Sequence, residues 1–307
     1  MSIIKKTALQ GFSISVLALA MVACGGGSND STPSVTPTPP ASLTTATDIA
    51  KAVAGIQAAK TAFDVVIADS EGTIKEVFLD AKVGMDISCG TSVSAGKFKV
   101  TANAATVYAT DGTIESSACL DAGEKFDGKL VYLCNDNSCD SALLTATNLV
   151  WGDTAQAIEL KANGTWTVGA SDTYKGSSSI TKSGSSTTFT FNDGLAQMYP
   201  AHNTVTGSGA LTVSGASATN CIDGSYSYNV STALTMPSGT QRLNGGAIKV
   251  NSGSTEVGTV TFNADGSVKV KLKDGAESTV TKADFESYCG LKEAYDFSEK
   301  INPNSTL

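Results

Sequence analysis

Residues 258–281, "GTVTFNADGSVKVKLKDGAESTVT", limit the fold of this chain more than any other stretch. Val260, Phe262, Val268, Val270 and Leu272 stand on alternate positions, the period of a strand with one face in a core and one in water. Asp-Gly inside "ADG" supplies the positive backbone dihedrals of a tight hairpin, and "KDGAE" makes a second turn, so the segment predicts a meander of about three strands. Shorter stretches repeat the theme: "KFKVTA" (97–102), "KLVYLC" (129–134), "QAIELKA" (156–162), "TWTVGA" (165–170) and "TTFTFN" (187–192). The 30 glycines, with abundant Ser and Thr, suit short strands joined by tight turns. The expectation is a mainly β chain of antiparallel short-strand meanders, arranged as a sandwich, a barrel or a curved sheet. Parallel architecture is disfavoured because long helices do not alternate with the strands.

Two short helices frame this β-rich region. In "ATDIAKAVAGIQAAK" (46–60), Ile49, Val53 and Ile56 recur at helical spacing, and Asp48 lies in the first turn, where the helix dipole favours negative charge. Near the other end, Thr281 and Asp284 have capping-box spacing. Phe285, Tyr288 and Cys289 share a helical face, Gly290 is a natural stop, and "INPNSTL" reads as a frayed tail. A boundary near Tyr199-Pro200 divides the body into 44–198 and 199–307, with a faint internal similarity between "ACLDAGEKFDGKLVY" (118–132) and "NCIDGSYSY" (220–228).

The start of the chain has a different character. Lys5 and Lys6 precede an apolar run of about fifteen residues that ends in small side chains, the layout of a secretory signal peptide and short for a membrane span of ~20 residues. Met21-Val22-Ala23-Cys24 resembles the lipobox of bacterial lipoprotein precursors. That resemblance implies removal of residues 1–23, a diacylglycerol on the Cys24 sulfur and an acylated new amino terminus. Two or more acyl chains anchor firmly where one holds marginally. By resemblance to Gram-negative lipoproteins, Gly25 after the cysteine implies sorting to the outer membrane. Residues 24–43, rich in Gly, Ser, Thr and Pro, bury too little surface to fold and read as a tether. Together with the "FNADGSVKV" hairpin, this leader resembles a loose group of proteobacterial lipoproteins rich in cysteine and strands, which brings no known activity with it.

Charge and cysteine content narrow the partners. The chain carries 29 acidic and 21 basic residues with no basic run after the leader, which disfavours nucleic acid and leaves lipid at Cys24 as the membrane contact. Of seven cysteines, six remain beside Cys24. An even number in an exported chain points to disulfides, and nearest-neighbour pairing gives Cys89–Cys119, Cys134–Cys139 and Cys221–Cys289. A metal site at "CNDNSC" has wider spacing than the usual thiolate pair and no histidine at zinc-finger distance, so no metal or cofactor is expected.

Candidate chemistry is sparse. His202 is the sole histidine, in a Pro-containing loop without a G-x-S-x-G elbow elsewhere. Ser94–Lys97 and Ser179–Lys182 match S-x-x-K but sit among glycines and strands. Asp136, Ser138 and Asp140 alternate as calcium ligands often do, without the loop glycine or distal glutamate. Trp151 and Trp166 suit strand packing better than a sugar platform. The strands are short and polar, and the terminal aromatic of outer-membrane barrels is missing, so a membrane barrel is not expected. The expected function is non-enzymatic: a lipid-anchored outer-membrane lipoprotein whose disulfide-stabilised body serves binding, adhesion or support of an envelope complex. The alternatives are a hydrolase of an envelope glycan working through carboxylates, or a periplasmic carrier of an apolar ligand.

Overall fold

A computed structural model describes residues 40–79, 82–89, 96–102, 111–121, 123–135, 141–169, 172–198, 204–237, 241–275 and 277–301. Its first element, α1, spans Ala46–Leu79. Thr45 and Asp48 close its start reciprocally: the Asp48 N–H donates to the Thr45 hydroxyl (3.1 Å) and the Thr45 N–H donates to the Asp48 carboxylate (2.9 Å), which satisfies amides that a helix start leaves open. The helix is 34 residues long, well beyond the expected 46–60. Ala62, Phe63, Val65, Val66 and Ile67 continue it, and almost every side chain from Ile49 to Ile67 is buried. A helix buried on all sides has to be surrounded.

The surround is one sheet. Among the described residues fourteen strands pair strictly with their sequence neighbours, all antiparallel. The first seven are β1 (Asp86–Ser88), β2 (Lys97–Ala102), β3 (Gly112–Asp121), β4 (Glu124–Cys134), β5 (Ala142–Asp153), β6 (Ile158–Val168) and β7 (Asp172–Lys182). The remainder are β8 (Ser185–Met198), β9 (Thr204–Ser214), β10 (Gly224–Thr235), β11 (Gly245–Ser252), β12 (Thr255–Phe262), β13 (Val268–Leu272) and β14 (Glu277–Val280). The hairpin expected from "ADG" is present, with Val260 opposite Val270 and Phe262 opposite Val268. β8 pairs with β9, so strands on both sides of the expected boundary belong to one sheet, and buried residues of both halves share one hydrophobic core.

α1 packs against β3–β7 and also against β11–β14. Strands so far apart in the order can reach one helix only if the sheet curls around it. Of the three expected arrangements the curved sheet is the one observed, with β1 and β14 as its edges. The curl has a local cause in a crease of left-handed residues that crosses consecutive strands: Ala118, Gly128, Asn148, Gly164 and Gly176, with φ of 51°, 95°, 47°, 124° and 126°. Register shifts accompany it on β3–β4, β4–β5, β5–β6 and β7–β8, and such bulges bend strands and increase their twist. Gly164 stands opposite Gly176, and a Cβ on Gly164 would lie 1.9 Å from the Lys175 carbonyl oxygen, so only glycine fits. "QAIELKA" and "TWTVGA", expected as two strands, are therefore one strand, β6, bent at Gly164.

The C-terminal region closes the remaining side. Thr281 caps α2 (Lys282–Glu286), accepting the Asp284 N–H at 3.1 Å. The chain turns through Cys289 and Gly290, both left-handed, and resumes as α3 (Leu291–Ile301), which packs on α1. The single short helix expected at the C-terminal end is thus two helices, and the second arises because Leu291, Ala294 and Tyr295 recur at helical spacing and are buried. At the opposite end of the chain, Pro40 bridges to Ser225 and the Ala41 N–H donates to the Ser225 carbonyl (2.9 Å). The Ser252 hydroxyl donates to the Ala41 carbonyl (2.7 Å). The segment leading to α1 is therefore pinned at the start of β10 and the end of β11.

Candidate functional site

Many residues singled out in the sequence lie outside the described residues: Cys24, Ser94, Asp136, Ser138, Cys139, Asp140 and His202. Cys89 is bonded to Cys119 and Cys221 to Cys289. Cys134 is also in a disulfide. Ser179 and Lys182 are both on β7, where side chains three apart point to opposite faces, and Lys182 pairs with Glu293. A serine nucleophile and lysine base cannot meet in that arrangement. Lys97, partner of Ser94 in the other match, is exposed on β2 and lies 3.7 Å from Asp86. Trp151 is buried against Phe126, with centroids 5.0 Å apart, and Trp166 stacks on Tyr174 at 5.5 Å. Both indoles are packing groups. Among the described residues no group of three His, Cys, Asp or Glu could hold a metal ion.

The most chemically loaded place is internal, between α1 and the start of β7. Lys60 and Asp64, one helical turn apart, form a buried ion pair. Asp172 opens β7 beside them and is itself buried. Loss of hydration pushes the Asp172 carboxyl up to about 6, the negative charge of Asp64 pushes it the same way, and the Lys60 ammonium opposes both. Among the described residues the second oxygen of Asp64 has no hydrogen-bond partner. The Trp166 indole N–H comes near Asp172 without making a hydrogen bond of good geometry. Two carboxylates and one ammonium thus share a buried site, with the Asp172 carboxyl pushed up to about 6. Phe63 of α1, Tyr174 of β7 and Phe191 of β8 pack as a ring cluster in the same region, so the acids face packed chain instead of an open cleft. Such a site can take up and release a proton, but no cavity described at it admits a substrate.

A second cluster lies at the surface. Arg242, in the segment before β11, is held by Glu286 of α2 and by Glu299 (2.8 Å) and Asp296 (3.6 Å) of α3. Its guanidinium lies 4.7 Å from the centre of the Tyr295 ring. Burial works to lower the Arg242 pKa, but the hydrogen bonds to Glu286 and Glu299 outweigh it and the pKa is raised. Arginine here is a clamp between the sheet and both C-terminal helices.

The outward face of the sheet carries charges and hydroxyls at several places. Lys125 reaches Glu159 at 2.7 Å across Gly152, and Lys249 reaches Glu256 at 3.1 Å. Around β6–β8, Asn163, Ser177, Ser179, Ser186 and Thr188 line a shallow depression of about 330 Å³. Charges and hydroxyls in these positions suit water; a lipid-facing barrel wall would be apolar there. No described helix is long and apolar enough to cross a membrane.

Neither the Lys60–Asp64–Asp172 cluster nor the Arg242 clamp carries a recognisable sequence motif. The chain matches no protein family, and no curated protein or solved structure is significantly similar to it.

Proposed function

We propose that this chain is a lipid-anchored, non-enzymatic lipoprotein of the outer membrane, whose curled-sheet body binds a partner for adhesion or for support of an envelope complex. The observation that carries the reading is Cys24, placed after an apolar leader and before a Gly/Ser/Thr/Pro segment. Support also comes from the end of that segment, where Pro40 and Ala41 are fixed to β10 and β11. Tension on the tether would be passed to the body at one point. The binding reading is favoured over a carrier because α1 fills the inside of the sheet with its own side chains, taking the space an apolar cargo would need. It is favoured over a glycan hydrolase because, among the described residues, the carboxylate pair with a strongly shifted member, Asp64 and Asp172, is buried between α1 and the sheet, whereas glycosidase acids flank a substrate.

Metabolic labelling with an alkyne-bearing palmitate tests the anchor. The expected result is label on the wild-type protein in the outer-membrane fraction, and neither label nor membrane retention in Cys24→Ala. An unlabelled, soluble wild-type protein would overturn the reading.

A further inference from the structure

The turn joining β12 to β13 and the helix pair α2–α3 enclose a cavity of about 150 Å³. Its floor is apolar and fixed: Leu243, Phe262, Phe285 and Tyr295 all belong to the core. Phe262 and Phe285 meet edge to face with centroids 5.8 Å apart, and Tyr295 carries the clamped Arg242 above it. At the lip, Ala264 and Asp265 are exposed. A cavity of this size and lining accommodates a benzene-sized group, which corresponds to one Leu or Phe side chain.

The rim is charged, and the charges do not cancel. Arg242 and Lys282 supply two cations, against the carboxylates Asp265, Glu286, Asp296 and Glu299. The acidic members next to Arg242 are engaged by it. Asp265 is different: its carboxylate accepts from the Ser267 hydroxyl (2.7 Å) and N–H (2.9 Å). These bonds hold its pKa below the ordinary carboxylate value, so it is an anion at neutral pH. No ion pair to it is present among the described residues. An apolar hole whose rim holds four carboxylates against two cations, with Asp265 in no ion pair among the described residues, selects an apolar side chain with a cation next to it.

We infer that this cavity docks a protein partner through one Leu- or Phe-sized side chain followed by Lys or Arg. The inference deepens the proposed binding role and rests on it, but does not depend on the lipid anchor. The preformed floor lowers the ordering cost of docking, and a single buried anchor surrounded by a polar rim is the arrangement in which binding energy concentrates. The charged rim contributes selectivity more than affinity.

The test is photo-cross-linking on the full chain with the probe N-acetyl-photoleucine-lysine amide, adducts being mapped by mass spectrometry. The expected result is an adduct on peptides containing Leu243, Ala264 or Phe285, competed by N-acetyl-Leu-Lys-amide and much less by N-acetyl-Leu-Glu-amide. Ala264→Trp, which adds bulk at the exposed lip without entering the core, should abolish the adduct while leaving the melting temperature unchanged. Asp265→Asn keeps the bonds to Ser267 and removes the charge, and should weaken competition by Leu-Lys about two- to five-fold, as expected for an exposed charge pair. Adducts scattered over the surface, an adduct unchanged in Ala264→Trp, or equal competition by Leu-Glu would each overturn the inference. Performed beside the palmitate labelling, the two readings fail separately: mapped adducts on unlabelled protein leave the cavity and remove the anchor, and labelled protein without a mapped adduct does the reverse.

Discussion

Replacing Asp172 by Asn should stabilise this protein at neutral pH and do much less in acid. Burial and the charge of Asp64 raise the folded-state pKa of Asp172 to about 6 from an ordinary value of 3.8. The folded state therefore disfavours the ionised form. The favourable contribution of the protonated acid is complete below the unfolded pKa and is lost as pH rises from about 4 to about 6. A tenfold change in acidity between the folded and unfolded chain corresponds to about 1.36 kcal/mol, so the wild type forgoes about 3 kcal/mol above pH 7. An amide at position 172 carries no charge, keeps an oxygen to accept from the Gly169 backbone, and leaves Lys60 and Asp64 as a neutral pair. Its N–H₂ group enters a site with few free acceptors, which takes back about 1 kcal/mol or more. The net expectation for Asp172→Asn is a gain of about 1–2 kcal/mol at pH 7.5, roughly 2–8 °C in melting temperature for a chain of this size. At pH 4 the charge-related part falls to about 0.5 kcal/mol. Urea denaturation of both proteins at pH 4, 5, 6 and 7.5 reads the difference directly, because carboxylates remote from the cluster are common to the two. An Asn variant no more stable than wild type at pH 7.5, or one whose advantage fails to shrink towards pH 4, would refute the account of the buried cluster.

Three further perturbations probe how the sheet holds its helix. Gly55→Ala improves helix propensity, yet its Cβ would lie 2.5 Å from the Tyr226 hydroxyl and 3.5 Å from the sulfurs of Cys221 and Cys289; overpacking should win, with a loss of about 1–3 kcal/mol in chemical denaturation. Gly164→Ala sets a methyl on the Lys175 carbonyl in the crease, and a loss above about 3 kcal/mol or an insoluble product is expected, while Gly184→Ala, at a turn with open space around it, should cost about 1 kcal/mol for its left-handed backbone. Cys221 and Cys289 are 68 residues apart, so replacing both by serine should remove about 4 kcal/mol by chain-entropy reasoning, read as a fall in urea midpoint under non-reducing conditions.

How legible this fold is in its sequence depends on how local the determining interactions are. The β12–β14 meander is readable because its alternation and its Asp-Gly turn are both contained in about two dozen consecutive residues. The length of α1 is not. Val65, Val66 and Ile67 form a β-branched run, and a helix buried on every side lacks the one-sided stripe that marks an amphipathic one. Gly164 reads as a strand break, since its true role is set by the Lys175 carbonyl on the neighbouring strand. The Lys60–Asp64–Asp172 cluster joins residues over a hundred positions apart, and Arg242 meets Glu286 and Glu299 only after α2 and α3 have folded against the sheet. The nearest-neighbour cysteine pairs Cys89–Cys119 and Cys221–Cys289 are present, but the second ties the segment before β10 to the turn between α2 and α3, a contact that strand order alone does not give.

The next-neighbour order of the strands sets a timetable for the chain. Each strand from β1 onwards finds its partner in the hairpin just made, so the sheet can grow in the order of synthesis. The helix it encloses is the reverse case. α1 leaves the ribosome before any strand, and the last surfaces that cover it, β14 and α3, arrive only at residues 277–301. Until then a long rod rich in Ala, Val, Ile and Phe has an incomplete sleeve. Shortening the chain by its final helix would therefore uncover its beginning.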